Sequence, residues 1–435
     1  MSLYRIPMKQ HVGAPCSKIV KVGDKVLRGQ CIAEPNGLGA KIHSSVDGEV
    51  VKITENFIEI EGRVPDKDVY VKIKKCDSIS ETACEAGIVG AGGAGFPTYI
   101  KLQSEIPNGY IIANCAECEP ILNHNIRLLE EEPEVVIRGI RYAMEATNAP
   151  KGYIAIKAKN KDAINSIRNA LGDSKDIEIK ELRDLYPMGE ERAIIHELFG
   201  IWLTPQQLPI EAGCVVLNCE TLANLTRAVE DLKPVIDKDI TVAGKLKNGK
   251  SANVFYEVPI GTPINDLIES LGGIDGEFGE LIIGGPYTGK SASLDSSVVT
   301  KISGGALVTI DLPQYKGPIG LLVCACGADE NRLRDIANKM KSEVVAVTKC
   351  KNVVEVRGTN KCLTPGNCPG QVQGVLELKR NGAERILISN CSDCTNTVMC
   401  CAPDLKIPVY HHTDHVFRTV DHELSRRLPM EMEIR

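Results

Sequence analysis

No apolar run in the sequence approaches the roughly 18–20 residues that a membrane-spanning helix requires. Aromatic residues are scarce, 4 % with a single tryptophan, so no stacking platform for single-stranded nucleic acid is expected. Positive charge is not in excess either. The 51 Lys and Arg against 57 Asp and Glu leave a net charge of −6, the wrong sign for a nucleic-acid partner. The opening stretch MSLYRIPMKQHVGAP carries no apolar core, so a secretory leader is not expected and a cytoplasmic protein is. A phosphate-binding P-loop is excluded for the main Gly-rich stretch, because no Gly-Lys-Ser/Thr follows it.

Against these absences stand 435 residues, too many for one ordinary core, and 17 cysteines. Apolar residues at 43 % and charged residues at 25 % are ordinary for a soluble globular chain. Without a secretory context, that many cysteines point to thiol redox chemistry or metal ligation rather than structural disulfides.

The pattern divides into four segments and predicts a multidomain α/β protein. Residues 1–75 read as all-β, with strands expected at Lys18–Val22, Gln30–Ala33, Gly48–Thr54 and Val69–Ile73 between Gly, Asp, Asn and Pro turns. Residues 76–235 read as α/β. A helix is expected after Asn123, and another from Pro133 with Val136, Ile137, Ile140 and Met144 on one face. Gly152–Lys157 reads as a strand, followed by a helix capped by Asn160 and ended by Gly172. Residues 236–312 return to strands and short helix. Residues 313–435 form a second α/β unit, with strands at Ile319–Val323, Val344–Val347 and Arg385–Ser389. One helix face there holds Leu333, Ile336, Ala337 and Met340, and a second helix is marked by Val372, Val375 and Leu376. Such alternation predicts a parallel sheet.

Four polar phrases carry the chemistry. The first is the loop Gly90, Gly92, Gly93 and Gly95, followed by Phe96, Pro97 and Lys101. Its glycines let the backbone turn tightly and approach a phosphate or a flat ring. The second is Asn114-Cys115-Ala116-Glu117-Cys118-Glu119-Pro120, the third Gly189-Glu190-Glu191, and the fourth Asn218-Cys219-Glu220-Thr221. Each of the last three lies at the end of an apolar strand or the start of a helix, where ligand sites of α/β folds collect.

In this order the four phrases resemble the FMN- and NADH-binding subunit of respiratory complex I. The phrase VKVGDKVLRGQCIAEP with HSSVDGEVVKI resembles a barrel-sandwich hybrid of the lipoyl or biotinyl type. Gly37 falls where carrier versions hold a lysine, so no swinging arm is expected. Residues 236–312 resemble a soluble-ligand-binding (SLBB-type) β-grasp module. The whole layout over residues 1–312 is similar to the RnfC family of the Rnf electron-transport complex. The resemblance implies that Gly90, Gly92, Gly93, Gly95 and Lys101 hold FMN. Asn114, Glu117 and Asn218 would also bind the flavin, Phe96 would lie against the nicotinamide of an NADH donor, and Glu190 and Glu191 would face the hydride-transfer site. Ala91 stands where an arginine is usual in complex I, and Leu217 replaces the first of two asparagines.

Beyond residue 312 the ferredoxin runs of the RnfC family are missing. In their place stand Cys324-Ala-Cys326, Cys350, Cys362, Cys368, Cys391-Ser-Asp-Cys394 and Cys400-Cys401. This departure resembles the proline reductase-associated electron-transfer proteins of amino-acid-fermenting anaerobes. An NADH-dependent oxidoreductase component is therefore expected, with proline reductase as the partner and Cys391 and Cys394 as a dithiol/disulfide pair. An iron–sulfur cluster on Cys391, Cys394, Cys400 and Cys401 is the alternative, and a docking scaffold with a degenerate flavin site is a third reading. Peripheral attachment to a membrane is compatible with each. Cys16, Cys31, Cys76, Cys84, Cys214 and Cys219 read as small apolar packing. His411, His412 and His415 match no known zinc spacing and read as solvated or capping residues.

Overall fold

The computed structural model describes residues 1–93, 95–249, 252–368, 370–389 and 401–424. The first segment packs two antiparallel sheets face to face. One has the spatial order Ser2–Pro7, Phe57–Arg63, Asp47–Ile53, Lys25–Val26; the other is Ser17–Lys18, Cys31–Glu34, Ile42–His43. Alternate residues Ile6, Val50, Ile58 and Ile60 point inward and are fully buried, as a half-solvated strand requires. Gly37 sits in the turn after Cys31–Glu34 at φ +90°, with nothing within 4 Å of where a Cβ would be. The turn tip thus carries no side chain.

Two expected strands change here. Lys18–Val22 shortens to Ser17–Lys18, because Lys21 and Asp24 close a turn through Asp24 N to Lys21 O at 3.1 Å. Val69–Ile73 forms no strand. Its amides are taken up singly by neighbours, Val71 N by Arg28 O at 2.7 Å and Ile73 N by Leu232 O at 2.9 Å, as the chain crosses to the next segment. Alternating valines alone suggest a strand, but Val69 and Val71 lie exposed.

The second segment is built on a fully parallel sheet of order Ile177–Leu182, Lys151–Lys157, Tyr110–Asn114, Cys214–Asn218. The helix Pro133–Thr147 opens on its proline, buries Val136, Ile137 and Ile140, and ends at Asn148 in the left-handed region. It crosses the helix Cys219–Asp231 closely: a Cβ on Gly139 would lie 2.2 Å from the Leu222 carbonyl oxygen. Asn160 occupies the cap position of Lys161–Leu171, yet its side chain makes no capping bond and its Nδ2 is buried without a hydrogen-bond partner.

The third segment is a five-stranded mixed sheet of order Asn253–Pro259, Asp237–Gly244, Gly305–Val308, Leu281–Ile283, Lys290–Ala292, with the helix Ile264–Ser270. Only the Asp237–Gly244 and Gly305–Val308 pair runs parallel. The fourth is a parallel sheet of order Glu343–Lys349, Pro318–Val323, Arg385–Ile388, Val409–His411, flanked by the helices Glu330–Lys339 and Val372–Arg380. Val375 and Leu378 form the buried face of the second helix, whereas Val372 is exposed. A hairpin of Val353–Val356 and Thr359–Cys362 projects from this unit.

The three histidines are buried rather than solvated. His412 Nε2 is 3.0 Å from Tyr287 O, and His415 Nε2 lies 2.7 Å from Glu280 Oε1. Glu280 comes from the third segment and also binds Arg332 and Lys339 of the fourth. The histidines therefore belong to the seam between these two segments. Among the described residues, no helix is long and apolar enough to cross a membrane.

Candidate active site

The carboxyl ends of the parallel strands Tyr110–Asn114 and Cys214–Asn218 place Asn114 and Asn218 side by side in register. Asn218 Oδ1 caps the next helix by accepting from Glu220 N at 2.9 Å. The Gly-rich loop lies over this edge. It closes through Gly90 N to Phe96 O (2.9 Å) and Gly95 N to Gly90 O (3.0 Å). Thr221 fastens its base, accepting from Ala91 N at 3.0 Å and donating to Val89 O at 3.3 Å. Gly92 faces the Asn218 amide: a Cβ there would be 3.3 Å from Nδ2. Gly93, at φ +99°, has nothing within 4 Å of an added Cβ, so its backbone is open to whatever occupies the space above it.

Asn114 ties the second phrase to the third. Its Nδ2 donates to Gly189 O at 2.8 Å while Oδ1 accepts from Ala116 N at 3.2 Å. Gly189 N in turn donates to Cys118 Sγ at 2.7 Å, and burial pushes that thiol up to about 11. Glu117 accepts from Glu119 N at 3.0 Å and from Asn125 Nδ2 at 3.2 Å, and burial raises its pKa. Glu119 accepts from Tyr287 N (2.7 Å), Thr288 N (2.8 Å) and the Thr288 hydroxyl, and burial pushes it up to about 7.

Glu190 and Glu191 differ in placement. Glu190 caps the helix Glu191–Phe199, accepting from Arg192 N at 2.9 Å and Ala193 N at 3.1 Å, and pairs with Arg192 Nε at 2.8 Å. Glu191 instead binds Lys101 Nζ at 2.6 Å.

These groups enclose a cleft of about 460 Å³. Gly92, Asn114, Glu117, Glu190 and Asn218 line it together, so all four phrases meet on one surface. Its volume lies within the roughly 300–1,000 Å³ range of small-molecule sites. Asn125 Oδ1 is buried there without a hydrogen-bond partner, an acceptor that a ligand donor would satisfy. Gly90, Gly93, Gly95, Phe96, Lys101 and Glu191 lie outside its lining residues; the glycines and Phe96 belong to the loop above it, and Lys101 and Glu191 form the pair just described.

Sequence reasoning missed Asn125, Tyr186, Arg192 and Thr288, which also line the cleft. Glu119 and Cys118 stood within a recognised phrase but carried no separate signal. The far wall comes from the fourth segment, through Ala325, Cys326, Gly327, Thr359 and Cys362. Cys219 and Cys115 both line the cleft, and the neighbouring Cys115 thiol, together with burial, raises the Cys219 thiol well above its usual value. Cys219 is fully buried in the apolar core, as its reading as packing expects. Cys391 and Cys394, and Cys400 beside them, lie outside the described residues. Among the described residues, no group of three or more His, Cys, Asp or Glu is placed to hold one metal ion.

Comparison with known proteins gives two family matches. Residues 83–227 match the Nuo51 FMN-binding domain, and residues 2–75 match the RnfC barrel-sandwich hybrid domain. The chain is 34 % identical over 324 residues to the C subunit of the Na(+)-translocating ferredoxin:NAD(+) oxidoreductase complex of Acetobacterium woodii, covering 69 % of this chain and 72 % of that one. It is 32 % identical to the C subunit of the proton-translocating ferredoxin:NAD(+) oxidoreductase complex of Clostridium ljungdahlii, over 76 % of this chain and 71 % of that one. Cobalamin reductase PduS of Citrobacter freundii is 38 % identical over 53 % of this chain and 49 % of its own, so the match spans about half of that relative.

Proposed function

The chain belongs to the RnfC family of electron-transport proteins, and from that premise we propose that it is a cytoplasmic NADH-dependent electron-transfer flavoprotein. In this reading FMN occupies the cleft and electrons leave through C-terminal cysteine thiols to a partner reductase. The observation that carries it is the meeting of four distant phrases on one cleft within the segment that matches an FMN-binding domain.

Bound FMN supplies hydride acceptance and electron release; the chain binds and orients. The open backbone at Gly92 and Gly93 admits a flat ring or a phosphate. The Asn218 amide beside Gly92 and the acceptor Asn125 Oδ1 offer a donor and an acceptor to the ring edge. Glu117 and Glu119, both pushed up by burial, hold protons more readily than ordinary carboxylates. Phe96 and the Glu190–Glu191 pair serve the nicotinamide side.

The partner we propose is proline reductase, on the strength of the thiol-bearing tail that replaces ferredoxin runs, with Cys391 and Cys394 as the terminal dithiol. The test is anaerobic reconstitution with FMN followed by NADH titration. A yellow protein whose flavin absorbance bleaches on NADH addition is expected. A colourless protein after reconstitution, or a brown one with stoichiometric iron, overturns the reading.

A further inference from the structure

The fourth segment brings two sulfurs to the cleft. Cys326 follows the strand Pro318–Val323, and Cys362 ends the hairpin strand Thr359–Cys362; both line the cleft. Cys326 is near enough to Cys362 to lower its thiol, and Cys324 is lowered in the same way by Cys326 and Cys350. The four sulfurs form a row, Cys362, Cys326, Cys324, Cys350, that runs from the cleft into the buried interior of the fourth segment.

Three features fix this row. Gly327 lets the Cys326 turn press against the neighbouring strand end: a Cβ there would lie 2.4 Å from Ser389 O. Cys350 Sγ accepts from Gln371 Nε2 at 2.9 Å. Arg192, buried beside the cleft, donates to Cys362 O at 2.9 Å and joins the helix of Glu190 to the hairpin.

We infer that Cys326 and Cys362 form a reversible dithiol/disulfide on the cleft wall and receive the flavin's electron pair. The inference rests on the flavin reading above and adds the acceptor next to it. The step balances: the Cys326–Cys362 S–S bond breaks, two electrons and two protons pass from reduced flavin to the sulfurs, and two thiols and oxidised flavin result. In the reduced pair, hydrogen bonds from Cys326 and from the Thr364 backbone amide lower the Cys362 thiol, with the Arg192 charge adding to them. A lowered thiol is both a good nucleophile and a good leaving group in exchange. Cys324 is lowered likewise by hydrogen bonds from Cys326 and Cys350, which raises Cys350 in turn.

The test is differential alkylation with peptide mapping of the full chain under anaerobic conditions. A Cys326–Cys362 linked peptide is expected in the oxidised protein and should vanish with dithiothreitol. NADH added to flavin-loaded protein should open the same link and expose two alkylatable sulfurs at these positions. Cys362→Ser should take up two fewer electrons per bound flavin than the wild type in a dithionite titration. Cys326→Ser should behave the same way, and the wild-type map decides the matter even if a variant fails to fold. Flavin that is reduced by NADH while positions 326 and 362 stay unchanged overturns this inference alone. So does stoichiometric zinc or iron released by Cys362→Ser. A link that dithiothreitol opens in a protein unable to bind flavin supports the pair and overturns the flavin reading instead.

Discussion

Lys101 Nζ reaches Glu191 Oε1 at 2.6 Å and, with the same ammonium, the carbonyl of Val216 at 2.8 Å. One cation thus joins the helix after the Gly-rich loop, the helix after Gly189 and the strand that ends in Asn218. Both side chains are about a third exposed, at 27 % and 39 %, so the pair contributes only about 0–1 kcal/mol to stability. Its value lies in holding Glu191 at the edge of the site. Glu191→Gln should slow flavin reduction by NADH while leaving flavin affinity and melting temperature nearly unchanged, and Lys101→Met should slow it too while also weakening flavin. Stopped-flow bleaching of the flavin band, set beside a flavin titration, makes the comparison. Unaltered kinetics in both variants would reduce the pair to a favourable charge at a helix start.

Gly93 offers a second separation of binding from folding. An added Cβ meets no protein atom within 4 Å, but the residue sits at φ +99°. A non-glycine residue there costs roughly 1–2 kcal/mol of backbone strain. Gly93→Ala and Gly93→Val both carry that strain, the β-branched valine more of it, and differ in bulk above the backbone. Both should stay folded, with flavin weakened in the alanine variant and lost in the valine variant. Equal flavin content in the two proteins would place the ring elsewhere.

Much of this site was legible in the sequence because strand ends and glycine runs are local signals. Asn114 and Asn218 could be recognised from the apolar runs before them, and their pairing follows once those strands are parallel neighbours. Asn125, Thr288 and Cys362 could not be found that way. Each reaches the cleft from a different element: Asn125 from the helix His124–Glu131, and Thr288 and Cys362 only through the packing of the third and fourth segments on the second. The histidines misled for a related reason. Three polar residues near the chain's end suggest a wet surface until Glu280, 135 residues before His415, is seen to receive it at a buried seam. Val69–Ile73 shows the opposite error, a local alternation with no partner strand to accept it.

Glu119 gives the cleft a dependence on pH. Its carboxyl is pushed up to about 7 by burial, against the donors Tyr287 N, Thr288 N and the Thr288 hydroxyl, which act in the lowering direction. A carboxyl raised in the folded state binds its proton more tightly there than when unfolded. Its stabilising contribution is therefore complete below about pH 4.5, the unfolded value, and is lost as pH rises through about 7. Glu119→Gln, neutral throughout, should flatten that part of the profile. Melting temperatures of both proteins between about pH 5 and 8 provide the measurement, and parallel profiles would refute the assignment.

The seam at Glu280 carries the opposite sign. This carboxylate is 4 % exposed and is bound by Arg332 through two nitrogens, by Lys339 at 2.6 Å and by His415 at 2.7 Å. Burial works against its charge, but hydrogen bonds from His415 and Arg332 and the Arg332 charge outweigh burial and hold it well below the usual carboxylate range. A depressed carboxyl contributes stability that is fully present above its unfolded pKa of about 4.5 and is lost as pH falls toward the folded value. His415 acts in the same direction: burial, the larger effect, lowers it below 6.5 despite Glu280, so acid must charge a group that the fold keeps neutral. Removing one partner of a buried ion pair costs about 3–5 kcal/mol, because the other charge is left without compensation. Glu280→Gln should therefore destabilise the contact between the third and fourth segments by about that amount, with Arg332 the stranded charge. The single tryptophan, Trp202, lies in the second segment and would not report it. Amide hydrogen exchange along Leu281–Ile283 and Pro318–Val323 would, and faster exchange confined to these strands is expected. Unchanged protection there in Glu280→Gln would mean that the network adds nothing to holding the cysteine-bearing segment against the rest of the chain.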